Sequence, residues 1–193
     1  MPLQVDRAHY APRSAYEDSP QPIGHEATIS APHMHASACS SLLPFLHSSA
    51  RVLDIGSGSG YLTHVLAELV KPNGTVIGIE HIQPLVDLAN GNMEKSEEGR
   101  GLLQSGHAKF IKADGRKGWP EGAPYDAIHV GAAAVELHQA LTDQLKAPGR
   151  LFIPVQDGWE QFIFVVDKKE DGTVEKKKLY GVRYVPLTDA PRS

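Results

Sequence analysis

Arg51-Val-Leu-Asp-Ile-Gly-Ser-Gly-Ser-Gly60 is the stretch that decides the fold: an apolar run of strand length ends in an acid and three alternating glycines, then enters the amphipathic segment 61–70. Gly56, Gly58 and Gly60 let the backbone bend sharply and approach a ligand with no β-carbon between them. The helix that follows offers unpaired N–H groups at its start. A strand, a glycine turn and a helix in that order predict a βα unit that holds a nucleoside cofactor at its turn.

The same pattern repeats outward from this unit. Strand 51–55 with helix 61–70, strand 75–80 with helix 84–96, strand 108–112, strand 126–130 with helix 136–146, and strand 150–154 alternate along the chain. This predicts an α/β fold, a doubly wound Rossmann-like sheet that is mostly parallel and covered on both faces. Runs 162–166 and 179–187, joined by Asp167-Lys-Lys-Glu-Asp-Gly-Thr173, read as an antiparallel C-terminal hairpin at one edge. Upstream, Pro12, Pro20, Pro22, Gly24 and Pro32 make residues 10–32 an irregular loop. A helix then starts at Pro32, with Met34, Ala38, Ser41, Leu42 and Phe45 on one face up to His47. The glycine-rich, charged segment 96–106 reads as irregular and mobile. One domain is expected over 1–193: an arm and loop at 1–32, a cofactor-binding core at 33–155 and a hairpin region at 156–193.

Composition narrows the classes. A chain of 193 residues is long enough to bury about 70% of its unfolded surface. The net charge of −4, from 23 acids and 19 bases without a long run of either sign, leaves no broad footprint for nucleic acid or an anionic membrane. Lys168-Lys169 and Lys176-Lys177-Lys178 bracket Glu170-Asp171-Gly172 and read as the solvated tip of the hairpin. Cys39, the single cysteine, excludes an intramolecular disulfide and fits a reducing compartment. The first ten residues lack the apolar core of a signal peptide and no later segment approaches a bilayer span, so a soluble, cytoplasmic protein is expected.

In an open α/β sheet, ligands bind beyond the carboxyl ends of the strands. Three acids end successive strands there. Asp54 either fixes the glycine turn or holds an ammonium group through water, and residues 56–60 face the amino-acid part of a cofactor. Glu80 suits a carboxylate accepting both ribose hydroxyls, with a helix-capping acid before His81 as the plainer reading. Asp114 can accept from an exocyclic amine while Gly115 admits a flat ring; alone, Asp-Gly is an ordinary turn. A nicotinamide-dependent oxidoreductase stays open as a rival, although the G-x-G-x-x-G fingerprint wants glycine where this chain has Tyr61.

The acid two residues ahead of Gly56-Ser-Gly58-Ser-Gly60 resembles motif I of the S-adenosylmethionine-dependent methyltransferases. Thr28-Ile-Ser-Ala-Pro-His-Met-His35 closely resembles the diagnostic segment of the protein-L-isoaspartate (D-aspartate) O-methyltransferases. Ile23-Gly24, Asp114-Gly115-Arg116, residues 123–134, residues 145–154 and Gly181-Val-Arg-Tyr-Val-Pro-Leu187 are similar to the same family, so the likeness runs from near Val5 to the end. It implies a class I methyltransferase that moves a methyl group from S-adenosyl-L-methionine to the α-carboxylate of L-isoaspartyl and D-aspartyl residues in damaged proteins and peptides, leaving S-adenosyl-L-homocysteine.

The resemblance makes Ser30 the catalytic residue. It places Ala27, Thr28, Ile29, His35, Asp54, Gly56, Ser57, Gly58, Gly60, Glu80, His81, Asp114, Gly115 and Thr188 around the cofactor. It implies no metal, no nucleic-acid or membrane partner, and a monomer. From the residues alone, Ser30 is either a plain helix N-cap or a hydroxyl that, with nearby N–H groups at the positive end of the helix begun by Pro32, grips a carboxylate, and His33 with His35 lacks a third ligand at metal-site spacing. Two departures are visible: family members usually carry more helical sequence ahead of Val5-Asp6-Arg7, and Ala113 stands where glycine is common. A cofactor-binding homologue with lost or reduced turnover is therefore a further alternative.

Overall fold

The computed structural model describes residues 5–187. A 3-10 turn, Arg7–His9, leads to strands β1 (Gln21–Gly24) and β2 (Ala27–Ile29), helix α1 (Pro32–Leu42) and a second 3-10 turn, Leu43–Phe45. Then come β3 (Arg51–Ile55), α2 (Tyr61–Leu69), β4 (Thr75–Glu80), α3 (Gln83–Met93), α4 (Glu97–Ser105), β5 (Ala108–Lys112) and β6 (Tyr125–Val130). The chain finishes with α5 (Gln139–Asp143), β7 (Leu145–Asp157), β8 (Glu160–Lys168) and β9 (Val174–Val182).

The main sheet has seven strands in the order β5-β4-β3-β6-β7-β8-β9. β3 pairs in parallel with both β4 and β6, so strand order reverses at β3, the place where such sheets open a crevice. β7, β8 and β9 pair antiparallel and close one edge, which is the mixed sheet that the alternation and the terminal hairpin predict.

Period-two alternation divides the core between the two faces. Val52, Ala127 and Phe152 pack with Leu42, Leu66, Val70 and Met93 of the helices on one side. Leu53, Ile55, Ile128, Leu151 and Ile153 pack with Tyr125 and Leu141 on the other. Asp54, His129 and Phe152 are successive register partners across β3, β6 and β7. Two polar side chains are thereby placed within an otherwise apolar layer.

Five expected elements differ. The 10–32 loop contains the β1–β2 hairpin, which turns on His25 (φ 53°) and Glu26 (φ 59°), both left-handed as a two-residue type I′ turn requires. The expected helix to His47 stops at Leu42 because Pro44 cannot donate in a continuing α-helix. Segment 96–106 is helical: Ser96 Oγ accepts the Gly99 N–H at 3.0 Å, Glu97 and Glu98 occupy the first turn, Leu102 is buried and left-handed Gly106 ends it. The expected helix 136–146 shrinks to α5, since buried Leu145 already pairs with Tyr125 in the sheet. The hairpin is present, but β9 begins at Val174, so Lys176, Lys177 and Lys178 lie on a strand and the tip is residues 169–173. No helix among the described residues is long and apolar enough to cross a membrane.

Candidate active site

Three adjoining hollows lie at the carboxyl ends of β3, β4 and β6, and Thr28 and Gly131 border all of them. The first is a cavity of about 230 Å³ between Gly56, Glu80, Ile82, Ala113, Gly115 and Leu187. A narrow slot of about 30 Å³ continues from it past Ser57, Asp54, His35 and Ser30. Ser30 also borders the third hollow, a wide groove of about 710 Å³ between α1 and residues 180–185.

The glycine turn is built as its spacing demands. Gly56 (φ +75°) and Gly58 (φ +51°) adopt the left-handed conformation and line both the cavity and the slot. The Gly56 and Ser57 amides both donate to Ile79 O, and the Gly58 amide donates to Glu80 Oε2 at 3.2 Å. The buried Ser57 Oγ has no hydrogen-bond partner among the described residues. A buried hydroxyl left unpaired is costly, and it faces the slot, so it offers a bonding group to whatever fills that space. Gly60 (φ +89°) stands outside these walls; a β-carbon there would meet Phe110 Cζ at 2.9 Å and Ala89 Cβ at 3.0 Å, so its role is close packing of α2 against α3.

Glu80 is buried at the end of β4, where its Oε1 accepts from the amides of His81 (2.8 Å) and Ile82 (3.2 Å) and sits 2.9 Å from His81 Nδ1. Helix capping and ligand holding are thus both available to it, and with His81 it lines the cavity. Asp54 is committed on both oxygens: Thr63 Oγ1 donates to Oδ2 at 2.6 Å and His129 Nδ1 lies 2.8 Å from Oδ1. These bonds tie Asp54 to α2 and β6 while it borders the slot. Asp114 turns away from the cavity to a bidentate pair with Arg116, 2.9 Å from both Nε and Nη2, and this hydrogen-bonded cation holds its carboxyl below the usual range. Ala113 and Gly115 form the wall there, and a β-carbon on Gly115 would meet Ile55 Cγ2 at 2.5 Å.

Ala27, Thr28 and Ile29 of β2 reach the walls, Ala27 at the cavity, Ile29 at the slot and Thr28 at both. Ser30 follows them and is not a helix cap, since the α1 N-cap is Ala31 and no side chain caps it. The amides expected to assist Ser30 are absent or committed: Pro32 has none, His33 N–H donates to Asp18 Oδ1 at 3.0 Å and Met34 N–H to Ala31 O. The Ser30 side chain instead bonds the hydroxyl of Tyr184, whose own ionisation burial pushes up to about 12. Thr188 lies outside the described residues.

Arg7 escaped the sequence reading as a positioning group, because nothing local links it to a segment far along the chain. Its buried guanidinium donates to Ser30 O (2.6 Å) and Ala15 O (2.7 Å) and lies over the Tyr61 ring. Its Nη1 is 3.0 Å from His35 Nδ1; guanidinium only donates, so this nitrogen accepts and His35 carries its proton on Nε2. Burial, with Arg7 and His129 nearby, pushes the His35 imidazole down to about 3. His129 was missed for the same reason as Arg7: its partner Asp54 is reached only across the β3–β6 register.

Comparison with known proteins follows the same outline. Residues 2–192 match the model of the protein-L-isoaspartate(D-aspartate) O-methyltransferase (PCMT) family. Protein-L-isoaspartate O-methyltransferases of Caenorhabditis elegans and Triticum aestivum are 50% and 49% identical to the chain, each over 95% of it and over 81% and 80% of their own lengths. A Plasmodium falciparum structure, titled as a protein-L-isoaspartate O-methyltransferase in complex with S-adenosyl-L-homocysteine, matches with a TM-score of 0.89 at 36% identity, over 96% of this chain and 87% of that one. A glycine turn at the switch point, a β2–α1 corner that carries Ser30 and relatives half identical over almost the whole length agree: the chain belongs to the protein-L-isoaspartate(D-aspartate) O-methyltransferase family.

Proposed function

We propose that this protein transfers a methyl group from S-adenosyl-L-methionine to the free α-carboxylate of L-isoaspartyl, and D-aspartyl, residues in damaged proteins and peptides. The observation that carries the reading is Ser30 at the junction of slot and groove. A small ligand in the slot and a polypeptide in the groove meet at that corner, where Thr28, Ser30 and Gly131 border both.

The walls fit the cofactor. The unpaired Ser57 Oγ and the helix start beyond Gly60, capped by no side chain, offer donors for an amino-acid moiety. The carboxylate of Glu80 has acceptor sites beyond its three amide bonds for ribose hydroxyls, and Gly115 admits a flat ring. S-adenosylmethionine, when bound, supplies a methyl group already activated on a sulfonium.

The chain's own residues therefore need only bind and orient. An α-carboxyl group is ionised at neutral pH, so no general base is required. The Ser30 hydroxyl holds that carboxylate, and the Arg7 bond to Ser30 O fixes where the hydroxyl stands. His35 remains neutral beside the slot, which keeps an additional cation from competing for the acid. Fixed placement of two reactants supplies several kcal/mol of barrier reduction.

The test is methyl transfer to an isoaspartyl peptide and to its aspartyl twin. Transfer to the first alone supports the reading, and equal labelling of both refutes it. S-adenosylhomocysteine at a hundred-fold excess over its Kd should stabilise the fold by about 2.7 kcal/mol in thermal unfolding while NAD does nothing. Stabilisation without any methylation would instead mark a cofactor-binding homologue.

A further inference from the structure

The groove beside Ser30 continues past the reacting corner. Residues 181–184, its far wall, are also the wall of a second open hollow of about 720 Å³, bordered on its other side by Trp159, Glu160 and Gln161. That shared wall is firm and low. Gln161 grips the Tyr184 backbone twice, accepting its N–H at 2.6 Å and donating to its carbonyl at 3.2 Å. Gly181 contributes no side chain, although a β-carbon there would find nothing closer than 3.8 Å.

Two side chains in this hollow make no hydrogen bond or ion pair among the described residues. Trp159 stands at the β7–β8 turn with its ring in solvent, at 103% relative exposure. Arg183 borders both hollows, is exposed, and makes no ion pair or hydrogen bond among the described residues. Glu160 is the one acid on the walls, whereas β9 beside it adds exposed Lys176, Lys177 and Lys178. Lys178 is paired with Asp157 at 2.8 Å, which leaves Lys176, Lys177 and Arg183 as the cations of this edge without an ion pair among the described residues.

An isoaspartyl residue lies within a polypeptide, so its neighbours must leave the groove, and the low wall is an exit. We propose that Arg183 and Trp159 form a subsite for an acidic segment flanking the isoaspartyl residue, and so set which damaged sequences are methylated fastest; this rests on the assignment of the Ser30 groove to the isoaspartyl residue. The guanidinium takes a flanking carboxylate in bidentate fashion. The indole supplies a flat contact surface with little entropy to lose.

Three isoaspartyl peptides of equal length test this: one with neutral flanks and one each with acidic residues on the amino or the carboxyl side. One of the acidic peptides should show a KM about five-fold below that of the neutral peptide, with the gap closing at high salt. Arg183→Gln should bring the ratio of the two KM values close to one, and Glu160→Gln should widen it. Trp159→Ala should raise KM for the preferred peptide about three-fold, with an unchanged melting temperature to show that the fold is intact. Equal KM values for all three peptides, or a preference that survives Arg183→Gln, overturn the subsite while leaving methyl transfer standing. Failure to methylate any of the peptides overturns both.

Discussion

Ser30 and Glu80 sit at opposite ends of one continuous space, and substitutions there should separate turnover from cofactor binding. On the proposed role, Ser30→Ala removes one hydrogen bond to a charged group at the methyl-accepting end. It should lower kcat by about ten- to a hundred-fold with cofactor affinity little changed. Glu80→Ala should weaken S-adenosylhomocysteine by a similar factor, measured by calorimetric titration, because it removes the proposed ribose acceptor and also frees the Gly58 amide. The reverse pattern would overturn these roles. That both residues line these hollows was legible in the sequence, Glu80 from its place at a strand end and Ser30 from a motif. The partners of Asp54 were not: an acid two residues before a glycine turn looks the same whether it awaits a ligand or is held by Thr63 and His129.

Elements meet at the glycines, and the three in the turn differ in what they touch. Gly60 is the joint at which α2 leaves the turn and packs against α3, so Gly60→Ala combines a left-handed strain with a β-carbon against Phe110 and the Ala89 backbone. A loss of about 2–4 kcal/mol in denaturant unfolding is expected. Gly58→Ala carries comparable backbone strain but meets only the flexible end of Ile23 at 3.3 Å. It should cost less stability and more cofactor affinity, since Gly58 lines the cavity. The sequence shows three alternating glycines and nothing to rank them. Similarly, the β1–β2 hairpin was hidden because His25 and Glu26 are poor predictors of a turn that needs two left-handed residues. The helix α4 was hidden because glycine content outweighed a good Ser96 cap in the reading.

At the scale of the whole molecule, burial couples the site to stability through His35. Its ring takes a proton near 6.5 when the chain is unfolded, but only at about 3 when folded, so the unfolded state binds more protons between those values. The contribution is intact above pH 6.5 and is lost as pH falls toward 3. Buried His64, also pushed down, adds with the same sign. His35→Gln should therefore flatten, though not abolish, the decline of the unfolding midpoint over that window; an unchanged slope would remove His35 from the account. The sequence by itself determined the layer order, the parallel sheet with its antiparallel edge and the strand ends that carry the site, because side-chain periodicity and glycine spacing are local properties of the chain. Only the tertiary structure decided that Arg7 holds Ser30, that Asp54 is bonded to His129 and that residues 181–184 wall both the Ser30 groove and the hollow beside Trp159. Those contacts join residues far apart in the chain, through a β register and loop closures that no single stretch encodes.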